Sequence, residues 1–437
     1  MYIEKINTYI FVEQVKYQLN SISPKIKNIM REYDCLKIKG KEIWFKATGF
    51  LACDNILVII FPKGYVVGDN VRLLNDARLL FAVLMKYQKD TILEPEEMRL
   101  LGGGNGSVNS SIFTAFKLIE DYKVNGLLKR NMKITTNQFT GNVNWASTIN
   151  KKIPIFSNGY PIYHDAIYKK SKHDGNSMLI SLHKYAISKS VTSFGWLFGL
   201  SEHDFSDYRT EIPCELTKAI HFLEIELRNT FIQREIDIIK WIMNILLEKD
   251  CQDTSVTVEM LLTKSFYYVW EAICSKILGN QYSTLKVLLP QPIWEIYNCS
   301  NPPAISHRPD ILITRKNRFY ILDAKYYDVN TSLPGWHDAV KQFFYGLSIR
   351  KSIEESNDLI TNEELKKRVA DVTIYENAFV LPSFNKEEVS KLGSITVPNI
   401  CEYGKIDVFI IDARLAMKCY IGEKKYSFMN KIESLIG

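Results

Sequence analysis

Asp310, Asp323 and Lys325 carry the chemistry with the sharpest spacing in this chain. They lie in Arg308-Pro309-Asp310-Ile-Leu-Ile-Thr314, Arg315-Lys-Asn-Arg318 and Phe319-Tyr-Ile-Leu-Asp323-Ala324-Lys325, which read as two apolar strands joined by a polar turn. Facing residues of an antiparallel hairpin have a constant index sum, so a turn centred between Lys316 and Asn317 sets Asp310 opposite Asp323. Asp323 and Lys325 are two apart and share one face of their strand. Two carboxylates and an ammonium thus converge at the open end of the hairpin. A hard cation such as Mg²⁺ needs oxygen ligands, and Asp310, Asp323 and the Ala324 carbonyl can supply them while water and a phosphate oxygen fill the remaining positions. The metal would polarise a phosphodiester and acidify a bound water, with Lys325 positioning that water and offsetting charge on phosphorus. The expected chemistry is phosphodiester hydrolysis.

The same segment matches the PD-(D/E)XK nuclease motif, with Pro309-Asp310, twelve intervening residues, then Asp323-Ala324-Lys325. Such nuclease cores are usually preceded by a helix that can contribute a Glu. Glu271, in Phe266-Tyr-Tyr-Val-Trp-Glu271-Ala-Ile-Cys274, is polar among apolar neighbours and becomes a further catalytic and metal-binding candidate. After the hairpin, Trp336-His-Asp-Ala-Val-Lys341-Gln342-Phe-Phe-Tyr345 has helical spacing. Gln342 and Tyr345 resemble the glutamine–tyrosine signature of RecB-like and McrC-like nucleases, which implies that they hold the lysine and the scissile phosphate. His307 and His337 flank the motif and are read as structural or DNA-contacting.

The elements that must position these residues follow from pattern. A chain of 437 residues is long enough for two or three domains, and 46% hydrophobic with 24% charged residues is the composition of a folded globular protein. Residues 35–70 alternate as strands, and 71–90 and 112–122 show helical spacing. Apolar positions from Glu215 to Lys249 predict one long or two consecutive helices, and a further helix is predicted from Val256 to Leu278. Strands at 378–381 and 406–412 then complete a mixed sheet. The expected fold class is α/β with an α+β N-terminal half: a β-rich module over 1–100, a basic middle region over 101–210, and a helical lead-in with a mixed nuclease sheet flanked by helices over 211–437.

Charge is concentrated rather than spread. The chain carries +6 in all, whereas residues 101–200 hold twelve Lys and Arg against four Asp and Glu, a net of +8. Aromatics interleave with these cations in Tyr160-Pro-Ile-Tyr163, Tyr168-Lys-Lys-Ser-Lys172 and His183-Lys-Tyr185, a composition suited to a nucleic-acid backbone or to a solvated basic face. The glycine-rich stretch 102–111 has no Lys before Lys117, so it reads as a flexible connection and no nucleoside triphosphate site is expected in this chain. The longest apolar run, Ile56 to Phe61, falls far short of the roughly 20 residues that cross a bilayer. The eight cysteines show no metal-ligand spacing, and a reduced, cytoplasmic protein is expected.

With these residues in hand, the chain resembles the LlaJI family of restriction endonucleases, whose members look like McrC-type nuclease subunits. The likeness extends into the middle region through Gly126-Leu-Leu-Lys-Arg130, Gly141-Asn-Val-Asn-Trp145-Ala-Ser-Thr-Ile149 and Gly159-Tyr-Pro-Ile-Tyr-His-Asp165. McrC-like sequences often carry a basic residue after the glycine of the second piece, where this chain has Asn142. The resemblance implies a Mg²⁺-dependent endonuclease acting on double-stranded DNA beside a separate McrB-like AAA+ motor, usually a GTPase, that docks on the N-terminal part. Two other readings stay open: a non-catalytic DNA-binding or motor-activating subunit, and a stand-alone repair nuclease.

Overall fold

The computed structural model describes residues 7–53, 56–101, 111–129, 131–136, 141–173, 177–198, 200, 208, 211–247, 258–290, 308–355, 363–385 and 388–436. Residues 102–110, expected to form a loop, lie outside these, as do Cys251, Cys299 and His307. The fold is mixed α/β with several sheets. No helix among the described residues is long and apolar enough to cross a membrane.

The chain divides into two compact units, Met1–Gly104 with Val258–Gly437, and Asn105–Thr257. The first unit begins with β1 (Asn7–Val12), β2 (Tyr17–Gln18), α1 (Pro24–Glu32), β3 (Leu36–Lys39), β4 (Glu42–Phe45), β5 (Thr48–Cys53), β6 (Ile56–Phe61), α2 (Asn70–Asp90) and α3 (Pro95–Leu100). β6 is nearly all apolar because both of its faces are covered. It pairs in parallel with β1 and antiparallel with β5. Asp69 accepts from the Arg72 N–H and caps α2. Leu73, Ala77, Leu80 and Leu84 then form one buried stripe along that helix.

The second unit contains α4 (Ser111–Asn125), β7 (Asn131–Thr136), β8 (Asn142–Val143), α5 (Trp145–Lys151), β9 (Ile155–Ser157), β10 (Tyr160–Ile162), β11 (Tyr168–His173), α6 (Met178–Phe198), α7 (Leu216–Asn229) and α8 (Gln233–Leu247). Leu118, Leu182, Ala186, Leu223, Ile239 and Ile242 form its core. The periodicity of 215–249 resolves into two helices that break between Asn229 and Gln233. Both helices belong to this unit, whereas the sequence pattern groups them with the C-terminal half. Arg234 explains the local order, since its guanidinium grips the Asp121 carboxylate through two nitrogens and also donates to the Gly126 carbonyl.

The chain then returns to the first unit through β12 (Val258–Thr263), α9 (Phe266–Leu278) and α10 (Tyr282–Leu285). The helix expected over 256–278 is therefore a strand followed by a shorter helix. The cause is tertiary: β12 pairs antiparallel with β5 and completes the sheet β1-β6-β5-β12, and Leu262 enters the N-terminal core. A glycine makes that pairing possible. Gly49 has φ +131°, and a β-carbon there would lie 1.9 Å from the Leu261 carbonyl oxygen.

The remainder is β13 (Ile311–Arg315), β14 (Arg318–Ala324), α11 (Trp336–Glu355), α12 (Glu363–Ala370), β15 (Ile374–Ser383), β16 (Val389–Thr396), β17 (Lys405–Asp412), α13 (Ala413–Ile421) and α14 (Phe428–Ile436). The strands form one mixed sheet in the order β13-β14-β15-β17-β16. β14, β15 and β17 run parallel, with antiparallel strands at both edges. Phe319, Tyr320, Ile321 and Leu322 are all buried, each stabilising the sheet by roughly 1.5–3 kcal/mol. That run explains why the central strand shows no alternation.

Two outcomes test this architecture. Gly49→Ala should lower the stability of the first unit by about 3 kcal/mol or more, because a methyl group would overlap backbone, and urea unfolding would show it. His183 is fully buried in the second unit; its Nδ1 accepts from the Leu128 N–H at 3.3 Å. Burial pushes its pKa down to about 4, with Asp121 opposing and Arg234 assisting. The unfolded chain therefore binds the extra proton between pH 6.5 and 4. Stability of the second unit should fall across that window by on the order of 3 kcal/mol. Hydrogen exchange of the α6 amides at about pH 7 and about pH 4.5 checks it, and His183→Gln should flatten the dependence.

Candidate active site

The hairpin forms in the expected register. Ile311 pairs with Leu322 and Arg315 with Arg318, and Lys316 takes the left-handed turn conformation at φ 53°. Asp310 immediately precedes β13 and its Oδ2 accepts from the Ala324 N–H at 2.9 Å, which ties the two open ends together. Asn280, just after α9, pins the outer side of the same strand. Its Nδ2 donates to the Asp310 carbonyl at 2.8 Å, and its Oδ1 accepts from the Leu312 N–H at 3.0 Å.

Lys325 follows β14 and continues its ladder, donating its N–H to the Val380 carbonyl at 3.0 Å. Its Nζ lies 2.7 Å from Asp323 Oδ2 and 3.1 Å from Asp338 Oδ1. Asp338 stands in the first turn of α11. It is held by the Tyr327 hydroxyl at 3.0 Å and the Gly335 N–H at 3.2 Å, both donating to Oδ2.

Electrostatics ties Glu271 to this group. Burial and then the Asp323 charge push its carboxyl up to about 7, with Lys325 and Arg308 opposing. Burial, followed by the charges of Asp323 and Glu271, also holds Asp310 well above the ordinary carboxylate range. Burial disfavours the Lys325 ammonium, but Asp323 and Asp338 outweigh that and raise its pKa. The site therefore crowds acids into a partly buried space where Glu271 and Asp310 hold their protons more tightly than ordinary carboxyls, and the Lys325 ammonium is shared between Asp323 and Asp338. Among the described residues no three His, Cys, Asp or Glu side chains are arranged as a ready-made metal cage.

Gln342 is fully buried and braces the strand. Its Nε2 donates to the Ile321 carbonyl at 3.0 Å and to Asn377 Oδ1 at 2.6 Å, two residues short of Asp323. Its amide thus bonds to the backbone of β14 and to the Asn377 side chain on β15. Gly346 allows the approach, since a β-carbon there would lie 2.7 Å from Asn377 Nδ2. Tyr345 senses Asp323 and Asp310, although burial is the larger cause of its raised pKa. His337 is exposed. Asp338 is absent from the candidates that sequence suggests, yet it precedes Gln342 by one helical turn and so shares its face. That spacing is the signal that could have found it.

The family model described as LlaJI restriction endonuclease matches residues 48–414. A curated relative, the type II restriction enzyme BsuMI component YdjA of Bacillus subtilis (strain 168), is 24% identical over 307 residues, covering 66% of this chain and 61% of the relative. The chain thus spans about three fifths of that relative's length. A chain of the refined half-complex of Thermococcus gammatolerans McrB AAA+ hexamers with bound McrC is 12% identical, with a TM-score of 0.43, covering 98% of this chain and all of that one. A chain of the Thermococcus gammatolerans McrBC complex, also 12% identical, gives a TM-score of 0.25 over 55% of this chain and 79% of that one. Neither score is high enough to argue from. The family match covers most of the sequence, including Asp310, Asp323 and Lys325, and the chain belongs to the LlaJI restriction endonuclease family.

Proposed function

We propose that the chain is the Mg²⁺-dependent DNA endonuclease subunit of a prokaryotic restriction system, cutting double-stranded DNA when assembled with a McrB-like AAA+ motor. The observation that carries the reading is the convergence of Asp310, Asp323 and Lys325 at the open end of one buried hairpin. The sheet order, with an antiparallel hairpin feeding parallel strands, accords with a PD-(D/E)XK core. The donor set suits a hard cation: burial and the charges of Asp323 and Glu271 raise the proton affinity of Asp310, and burial with the Asp323 charge does the same for Glu271, so a bound cation would relieve both. Asp310, Asp323, the Ala324 carbonyl and Glu271 would hold Mg²⁺. When bound, the metal would supply Lewis-acid polarisation of the phosphodiester and a more acidic water.

The chain's own residues do the rest. Lys325, kept charged by Asp323 and Asp338, offsets negative charge developing at phosphorus and orients the attacking water. Asp338 holds that ammonium in place, and Gln342 fixes the strand beneath it. Lys169 and Lys170 on β11 are exposed and offer cations to a phosphate backbone. The motor partnership comes from the resemblance to McrC-type subunits, and a cytoplasmic setting from the scattered cysteines.

Plasmid cleavage with Mg²⁺, GTP and a McrB-like motor from the same genome provides the test. Asp323→Ala and Lys325→Ala should each slow cutting by about a thousandfold, the scale of losing a preorganised electrostatic group. Unchanged cutting would exclude the assignment, and cutting without motor or triphosphate would point to a stand-alone nuclease. Asp338→Asn, which keeps the shape but removes the charge, should cost roughly tenfold in kcat. Replacing both Lys169 and Lys170 by Ala should flatten the salt dependence of DNA binding, by about 0.9 in log–log slope for each phosphate no longer neutralised. An unaltered slope would show that these lysines do not meet DNA.

A further inference from the structure

Tyr326 follows the lysine of the site directly, and its ring is buried in the first unit. Its hydroxyl donates to Glu13 Oε2 at 2.7 Å, and it accepts from the Lys63 backbone N–H at 2.9 Å. Glu13 lies one residue beyond β1, where its own N–H donates to the Phe61 carbonyl. The Thr48 hydroxyl also donates to Glu13 Oε2, at 3.1 Å. Three elements of the N-terminal region, the ends of β1 and β6 and the start of β5, thus close on one hydroxyl group. The ring completes the arrangement. Lys63 Nζ stands 4.3 Å from its centroid, and Phe266 packs against it at 5.3 Å. Phe266 opens α9, the helix that carries Glu271.

We infer that Glu13 and Tyr326 are positioning residues of the cleavage site, through which the N-terminal strands fix the Asp323-Ala324-Lys325 segment and the Glu271 helix in their working relation. The geometry gives the physical reason. β14 ends at Ala324, so Lys325 stands just past the sheet proper, held to it by a ladder bond to Val380. A side chain carried on such an end is set by whatever anchors the next residue. Here that anchor is a buried, doubly hydrogen-bonded tyrosine whose partners come from residues more than 260 positions earlier in the chain. The buried Glu13 carboxyl has no reason to sit in an apolar core unless these donors hold it. Placing it there supplies direction rather than net stability.

The inference rests on the nuclease reading of Lys325, and its test separates the two. In the full-length chain, the reactivity of each lysine toward an amine-acylating reagent is followed by mass spectrometry, without DNA, metal or motor. Tyr326→Phe keeps the ring and removes the hydroxyl, and should raise Lys325 labelling about fivefold, the scale of one net hydrogen bond. Lys391, on β16, should not change. Glu13→Gln keeps an acceptor for Tyr326 and should label like the native chain. The double variant Glu13→Leu with Tyr326→Phe removes the pair but also leaves the Lys63 N–H and the Thr48 hydroxyl without these acceptors, so its folding is checked by circular dichroism first, and once folded it should still label like Tyr326→Phe. Native labelling of Lys325 in the folded double variant would overturn the inference. In cleavage assays, Tyr326→Phe should lower kcat about tenfold with KM for DNA unchanged, and Glu13→Gln should retain the native rate. A change in KM alone would also overturn it. If the native complex cuts no DNA, the nuclease reading fails, and the labelling result still decides whether Glu13 and Tyr326 position Lys325.

Discussion

Everything at this site depends on several acids crowded together where little water reaches them. Asp310 and Glu271 both feel the Asp323 charge through a partly buried space, and the Lys325 ammonium beside them is divided between Asp323 and Asp338. Burying an ionised group costs several kcal/mol even after relaxation. No local element could hold such a cluster alone. The opposing stabilisation comes from the sheet that carries it, where Ile311, Leu312, Phe319, Ile321 and Leu322 are excluded from solvent. Directional bonds then keep the acids apart from alternative partners, namely Ala324 N–H on Asp310 and the Tyr327 hydroxyl on Asp338.

The bracing around this cluster reaches the strands from several sides. Gln342 grips β14 and β15 from the long helix α11. Trp270, from the Glu271 helix, donates its indole N–H to the Val380 carbonyl at 3.2 Å, the same carbonyl that receives the Lys325 N–H. A second buried link ties the N-terminal helix α2 to the start of α13. The Arg414 guanidinium meets Asp76 at 2.9 Å and donates to the Phe384 carbonyl, while the Tyr65 hydroxyl donates to the same aspartate. Residues 1–104 are thus integral to the unit that carries the site, not an appendage to it.

What could be read from sequence was local. The hairpin register followed from one turn, and the helical stripes of α2, α4 and α11 followed from spacing, because each depends on residues a few positions apart. What could not be read was long-range. Val258–Thr263 satisfies a helical pattern and becomes a strand only because β5 offers an open edge with a glycine at the point of closest approach. Asp338 and Glu13 look like ordinary surface acids until Lys325 and Tyr326 are brought to them. Gln342 was recognised by position, yet only the buried carbonyl of Ile321 shows what its amide holds.

The place of β12 also sets an order on how the chain can be made. Thr48 pairs with Thr263, so the N-terminal sheet closes only after roughly two hundred further residues have left the ribosome, a separation that slows folding. During that interval β5 exposes an apolar edge, the kind of edge that pairs with other chains. The intervening unit Asn105–Thr257 has its own core and can fold while the first waits. Asp310, Asp323, Lys325 and Asp338 all follow β12 in the chain, so they come together only after the strand that closes the N-terminal sheet has been made.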